Sequence, residues 1–155
     1  MSLNETSVTY SEKINPVIKA AAAFVPVSDY WQLRLSTAIP TDEVGQITRA
    51  VRATNEWARN FGKSEKINQP IKPSLNPIVI ASRKFLQRIP LEEYLPARHE
   101  VIVEAIASSN KRVAYLEESI GYDAELDKAE CEGMALSSEL SMTTAAIKAV
   151  NQPPA

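Results

Sequence analysis

The sequence predicts an all-α domain: a bundle of four main helices at about residues 42–61, 77–89, 96–120 and 124–149, with short helices before them. Between Pro96 and Pro153 there is no proline, and Gly121 and Gly133 are the only glycines, so the second half of the chain has few helix breakers. Apolar residues also recur there and elsewhere at three- and four-residue steps, which is typical of amphipathic helices. Convincing strand patterns are nearly absent.

The N-terminal quarter predicts an arm and two short helices. Residues 1–10 are polar and read as an arm that is ordered only when something holds it. Asn15-Pro16 predicts a short helix that closes before Val25-Pro26. Residues 28–38 are ambiguous, because Ser28 and Asp29 resemble a helix start whereas residues 31–35 alternate apolar and polar as a strand does. We favour a short helix, since a lone strand would lack a convincing partner.

The middle of the chain predicts two helices joined by a linker. Thr41 and the two acidic residues after it predict a helix start, and Gly62 predicts its end. The apolar stripe between them comprises Val44, Ile47, Val51, Thr54, Ala58 and Phe61. Residues 63–76 contain two prolines, several lysines and no sustained period, so they predict a basic linker. A further helix is expected from Pro77 until Pro90 ends it.

The last two helices are expected to pair antiparallel. Pro96 is suited to the first turn of the earlier helix. Gly121 is suited to the left-handed backbone conformation that ends this helix. The connection is short, which places the two helices side by side. Two facing stripes support the pairing: Ile102, Ala105, Ile106, Ser109, Val113, Leu116 and Ile120, and then Leu126, Ala129, Gly133, Leu136, Leu140, Thr144 and Ile147. Gly133 would let a neighbouring helix approach closely.

Length and charge indicate one domain with an uneven charge distribution. A chain of 155 residues is long enough for a single core, and we find no internal repeat in it. The net charge is −2, but residues 63–91 hold six basic and one acidic side chain, whereas residues 92–155 hold five basic and twelve acidic ones. This polarity suits self-association or a partner surface, and it also suits simple solubility.

The single cysteine, Cys131, cannot form an internal disulfide, which favours a reducing compartment. The apolar run from Val17 to Val27 is interrupted by Lys19 and Pro26 and is too short to cross a bilayer. We therefore expect a cytoplasmic protein with no membrane contact.

No catalytic, cofactor or metal site is predicted. His99 is the only histidine, so neither a zinc site nor a di-iron bundle has its usual ligands. The acidic residues after Gly121 imitate the start of a calcium loop, but Lys128 stands where that loop needs glycine. The glycines are too scattered for a phosphate-binding loop. An enzyme with an unrecognised carboxylate site remains a third possibility.

Two sets of residues are candidate surfaces. One is basic and would suit a phosphate backbone, although Glu56 interrupts it and a solvated face is the competing interpretation; it comprises Arg49, Arg52, Arg59, Lys63, Lys66, Lys72, Arg83, Lys84 and Arg88. The other is a second apolar arc on the last helix and would suit a partner chain; it comprises Cys131, Ala135, Met142 and Ala146. A helix that is apolar on two faces is either covered by a partner or central in its bundle, and the sequence favours neither.

These features predict a non-catalytic helical subunit or adaptor of a multi-subunit assembly that acts through protein–protein contacts or self-association. The alternative is a small helical subunit that contacts the backbone of RNA or DNA in a ribonucleoprotein or capsid. The basic residues carry that alternative, and the second apolar arc carries the first.

Overall fold

The computed structural model describes residues 14–37, 39–60, 71–119 and 121–151. These residues form six α-helices and no strand, which confirms the predicted all-α class. The helices are α1 (Pro16–Ala22), α2 (Val27–Leu35), α3 (Thr41–Asn60), α4 (Pro77–Leu86), α5 (Leu91–Glu117) and α6 (Asp123–Asn151). The predicted arm 1–10 and residues 63–70 of the predicted linker lie outside the described residues, and residues 71–76 are not helical.

The short helices form where the sequence predicts them. Asn15 caps α1 by accepting a hydrogen bond from the Val17 amide, and Asn76 caps α4 through the Ile78 amide in the same way. The ambiguous segment is helical as we favoured, since α2 covers Val27–Leu35. Ala38, the last residue of that segment, lies outside the described residues.

The predicted start of α5 at Pro96 is wrong. The helix begins at Leu91 and continues through Pro96 without a break. A proline inside a helix removes one backbone hydrogen bond, here to the carbonyl of Glu92, whose side chain is exposed. The buried side chains of Leu91, Tyr94 and Leu95 need the helical turn before Pro96, and their burial outweighs the lost bond.

Helices α5 and α6 form the predicted antiparallel pair. Arg98 bonds Glu139, and Arg112 lies 3.8 Å from Glu132, so the two helices run in opposite directions. Gly121 ends the turn between them with φ of 90°, as predicted. A Cβ atom at Gly133 would lie 3.4 Å from the Ser109 hydroxyl oxygen, in agreement with the predicted close approach.

The core does not centre on this pair alone. Helix α6 lies between α3 and α5 and packs along both. The buried hydrophobic cluster gathers α1, α2, the end of α4 and the first turns of α5 around the C-terminal end of α6 and one face of α3. Its members include Tyr30, Tyr94, Leu91, Leu95, Ile47 and Ala146. Between Val103 and Ser138 only Leu116 and Ala129 are buried among the described residues. We name residues 103–138 the hairpin arm, because burial there is confined to the seam between its two helices.

Two segments of the core carry the same short pattern of three residues, although the chain has no internal repeat of constant period. Pro26, Tyr30 and Arg34 stand at four-residue steps, and so do Pro90, Tyr94 and Arg98. Each set follows a helix that begins at an Asn-Pro pair with the asparagine as its cap. The hairpin arm lies between the second set and the C-terminal half of α6. The two sets therefore do not recur with a constant spacing along the chain.

The two sets contact each other reciprocally. The Tyr30 hydroxyl donates to the Ile89 carbonyl at 2.6 Å, and the Tyr94 hydroxyl donates to the Val25 carbonyl at 2.6 Å. The two tyrosine rings stack at 3.7 Å between centroids and 9° between planes. Each tyrosine thus bonds the residue before the other set's proline, which is the relation that a two-fold axis produces. Burial raises the pKa of both tyrosines, so both hydroxyls keep the protons they donate.

Two buried ion pairs complete the reciprocal arrangement. Arg34 pairs with Glu43, whose other oxygen accepts from the Leu91 amide at 3.0 Å. Arg98 pairs with Glu139, which also accepts from the Val27 amide at 3.2 Å. Helices α2 and α5 start after prolines and have no side-chain cap from a neighbouring residue. The two carboxylates, distant in sequence, therefore cap these helices and add a favourable negative charge at their starts.

The hairpin arm, residues 103–138, is expected to be dispensable for folding. Deleting residues 106–116 and 125–135 removes eleven residues, about three turns, from each helix, so the remaining halves keep their phase. Because the reciprocal contacts are untouched, we expect cooperative unfolding with a loss of only about 1–3 kcal/mol, the typical share of 22 residues. Urea denaturation followed by circular dichroism measures this. Loss of the cooperative transition would show that the arm is part of the core.

Candidate docking surfaces

The outer face of the hairpin arm is exposed and partly apolar. Helical spacing places Ala124, Cys131 and Ala135 on the side of α6 that points away from α5, and all three are exposed. Met134 adjoins them and is 68% exposed. Small residues of this kind let another helix approach closely.

One border of this face is acidic. Asp123, Asp127 and Glu130 are exposed and stand at steps of four and three residues, so they form a row along α6 that we name the acidic edge. Seven acidic residues and one lysine lie between residues 117 and 132. The end of the arm therefore combines a strong negative charge with exposed apolar atoms.

Helix α3 carries a groove of opposite charge, which we name the α3 groove. Its volume is about 390 Å³, and it is lined by Leu35, Thr48, Val51, Arg52, Asn55 and Arg59, with Ile47 at its base. Arg52 and Arg59 are exposed and seven residues apart, so they stand on one row of the helix. Leu35 is 56% exposed and gives the groove an apolar wall.

The predicted partner interface is divided by the fold. Cys131 and Ala135 are exposed on the hairpin arm, whereas Met142 is half-buried. Ala146 is fully buried in the core, so its place in a partner interface is wrong. The reason is that α6 lies between α3 and α5 at this end, where both apolar arcs are internal. Only the arm half of the predicted interface remains at the surface.

The predicted basic surface is likewise divided. On α3, Arg52 and Arg59 border the groove, and Arg49 is half-buried. On and before α4, Lys72, Lys84 and Arg88 are exposed. Arg83 is engaged in the fold, because it pairs with Asp29 at 3.2 Å and donates to the Lys72 carbonyl. Lys63 and Lys66 lie outside the described residues.

A second cavity, of about 470 Å³, lies where α2, α3 and α4 meet. Arg34, Glu43 and Arg88 line it together with Thr37, Pro40, Gln87 and Pro90. Arg34 and Glu43 neutralise each other within their ion pair, so Arg88 at the rim is the only uncompensated charge in this lining. The cavity therefore lacks the convergent polar groups that fix a ligand.

Sequence reasoning missed the α3 groove and the repeated pattern. The groove depends on Leu35 of α2 lying beside α3, and no periodicity within either helix reports that contact. The repeated pattern did leave a signal, because proline, tyrosine and arginine recur at the same steps after two Asn-Pro pairs.

Other classes of site find no support in the part of the chain that the structure describes. No group of three or more potential metal-ligating side chains gathers there. None of the described helices is long and apolar enough to cross a membrane. Comparison with protein-family models, with curated proteins and with solved structures finds no match for this chain.

Proposed function

We propose that this protein is a non-catalytic helical subunit of a multi-subunit assembly and that it docks to a partner protein through the hairpin arm. The observation that carries the proposal is the exposed outer face of the arm, where Met134, Cys131 and Ala135 lie next to the acidic edge. An exposed apolar face with a polar border is the composition of a protein-binding surface.

The position of the arm supports the same proposal. The reciprocal contacts of the core involve residues up to Arg98 and from Glu139 onward, so the arm adds length without adding to them. Function commonly resides in such additions to a scaffold. The arm also presents its apolar residues on helices, and a backbone that is already ordered lowers the entropy cost of binding.

Cross-linking from Cys131 tests the proposal. A thiol-directed photo-cross-linker at this exposed side chain is expected to form a defined protein adduct in extracts of the native host. The substitution Ala135→Glu lies one turn away on the same face, and we expect it to remove the adduct without unfolding the protein, because Ala135 is exposed.

A matched control places the cross-linker elsewhere. In a Cys131→Ser, Glu92→Cys variant the probe stands on an exposed residue outside the arm, and the same adduct should not form. Equal adducts from both positions, or an adduct that Ala135→Glu leaves unchanged, would contradict docking through the arm.

The alternative, contact with the backbone of RNA or DNA, draws on Arg52 and Arg59. Glu56 stands between them on α3 at ion-pair spacing and weakens the case. Arg83 is held by Asp29, which removes one further candidate. Nucleic acid that co-purifies with the protein and is lost as salt rises would favour this alternative over a protein partner.

A further inference from the structure

We infer that the partner of the hairpin arm is a second copy of this chain, whose α3 groove receives the outer face of the arm. The inference rests on the proposed function and names the partner that the arm would contact.

The charges of the two regions are complementary and equally spaced. Arg52 and Arg59 are seven residues apart on α3, and Asp123 and Glu130 are seven residues apart on α6. Seven residues of helix rise about 10.5 Å, so each arginine of the groove can face one carboxylate of the acidic edge. Bidentate pairing of a guanidinium with a carboxylate then gives the contact a preferred geometry.

Glu56 does not oppose this contact. Helical spacing places Thr48, Val51 and Asn55 on one side of the row formed by Arg52 and Arg59, and the groove lies on that side. Glu56 falls on the other side of the row and does not line the groove. A helix seated in the groove therefore meets the arginines before it meets this carboxylate.

The apolar surfaces also correspond. The groove has Leu35 and Val51 as apolar walls, and the arm offers Met134 beside Cys131 and Ala135. Within the described residues, the Asn55 side-chain oxygen is buried in the groove wall without a hydrogen-bond donor. Lys128 is exposed on the outer face of the arm and brings a donor to such a contact.

The contact joins two different surfaces and is therefore heterologous. Each copy has one arm and one groove, so successive copies form a ring if the rotation closes and an open chain if it does not. Association through charged borders is also steered by electrostatics and weakens with salt.

Analytical ultracentrifugation of the purified, nuclease-treated chain is the first test. We expect the weight-average mass to rise above the 17.1 kDa of one chain as concentration increases at low salt. Raising NaCl from about 0.05 M to about 0.5 M shortens the screening length severalfold and should return the protein to monomer. A monomer at every concentration and salt overturns the inference.

Charge reversal tests the two surfaces separately. Arg52→Glu with Arg59→Glu makes the groove acidic, and Asp123→Lys with Glu130→Lys makes the acidic edge basic at the two positions that face these arginines. Each double variant alone should associate at least about tenfold more weakly than the wild type, since like charges then face each other. All four side chains are exposed, so circular dichroism should show unchanged helix content.

Mixing the two double variants is the decisive experiment. The acidic groove of one variant then meets the basic arm of the other, and the unaltered groove and arm also meet each other. We expect the mixture to associate about as strongly as the wild type. A mixture that stays monomeric overturns the inference, because each groove in the mixture can meet an arm of opposite charge.

Matched controls test whether a change in net charge alone weakens association. Lys84→Glu with Arg88→Glu changes the net charge as the groove variant does, and Glu92→Lys with Glu93→Lys changes it as the arm variant does, at exposed positions outside both surfaces. Both control variants should associate like the wild type. Equal loss in the controls overturns the assignment of these surfaces.

The outcomes distinguish this inference from the proposed function. A monomeric chain whose Cys131 still cross-links a different host protein contradicts self-docking and leaves the arm as a docking surface. A chain that yields no adduct in host extracts and does not associate contradicts both.

Discussion

Replacing Glu139 with alanine is expected to lower the free energy of unfolding by about 3–5 kcal/mol, the usual cost of removing one partner of a buried ion pair. The carboxylate accepts from Arg98 at 2.7 Å through each oxygen and from the Val27 amide. Burial disfavours the charged form of Arg98, while the bond to Glu139 raises the pKa of this arginine. Without Glu139 the guanidinium stays charged and buried, and the start of α2 loses its cap. Urea denaturation measures the loss.

Glu132→Ala is the matched control, because Arg112 and Glu132 form a pair on the same two helices in which each side chain is about half exposed. Exposed pairs contribute about 0–1 kcal/mol, so the control should change stability little. A second variant, Arg98→Met with Glu139→Leu, removes both charges and should recover part of the loss. If Glu139→Ala lowers the free energy of unfolding no more than Glu132→Ala does, the ion pair between Arg98 and Glu139 is solvated.

The sequence predicted the helices because their ends are marked chemically. Asn15 and Asn76 before prolines start α1 and α4, and Gly121 ends the turn after α5. These signals act within a few residues, so no tertiary contact is needed to interpret them. Pro96 misled the prediction because a proline that can open a helix can also be carried inside one when buried neighbours on both sides hold the turn.

The arrangement of the helices depended on contacts that the sequence does not report. Two apolar arcs on α6 are compatible with a central helix and also with an interface. Near Ala146 the helix is central and both arcs are internal, whereas near Cys131 the second arc is exposed. The change occurs along one helix because α3 and the N-terminal helices gather at its C-terminal half. Periodicity identifies a face but not the element that covers it.

The buried pairs were hidden for a different reason. Glu43 and Glu139 stand in amphipathic helices where acidic residues are usually solvated, and their partners Arg34 and Arg98 lie 9 and 41 residues away. Their common role as caps for helices that follow Pro26 and Pro90 becomes visible only when the two proline junctions are placed together. The unequal separations are the consequence of the hairpin arm in one half of the molecule.

Replacing Tyr94 with alanine is expected to cost about 3–5 kcal/mol, as for other large aromatic side chains removed from a core. Tyr94 is fully buried, stacks on Tyr30 across the reciprocal contact and donates its hydroxyl proton to the Val25 carbonyl. Its loss therefore leaves a cavity and removes a hydrogen bond at once. Chemical denaturation should show a lower midpoint.

Phenylalanine substitutions separate the ring from the hydroxyl. Tyr94→Phe keeps the stacked ring but leaves the Val25 carbonyl without the Tyr94 hydroxyl as a hydrogen-bond donor. This loss should lower the free energy of unfolding by about 1–3 kcal/mol. Tyr30→Phe should cost less, because the Ile89 carbonyl also accepts from Arg34 and keeps that partner. If the two phenylalanine variants lose the same stability, or if Tyr94→Ala loses no more than Tyr94→Phe, the stacked tyrosines do not hold the two halves of the core together.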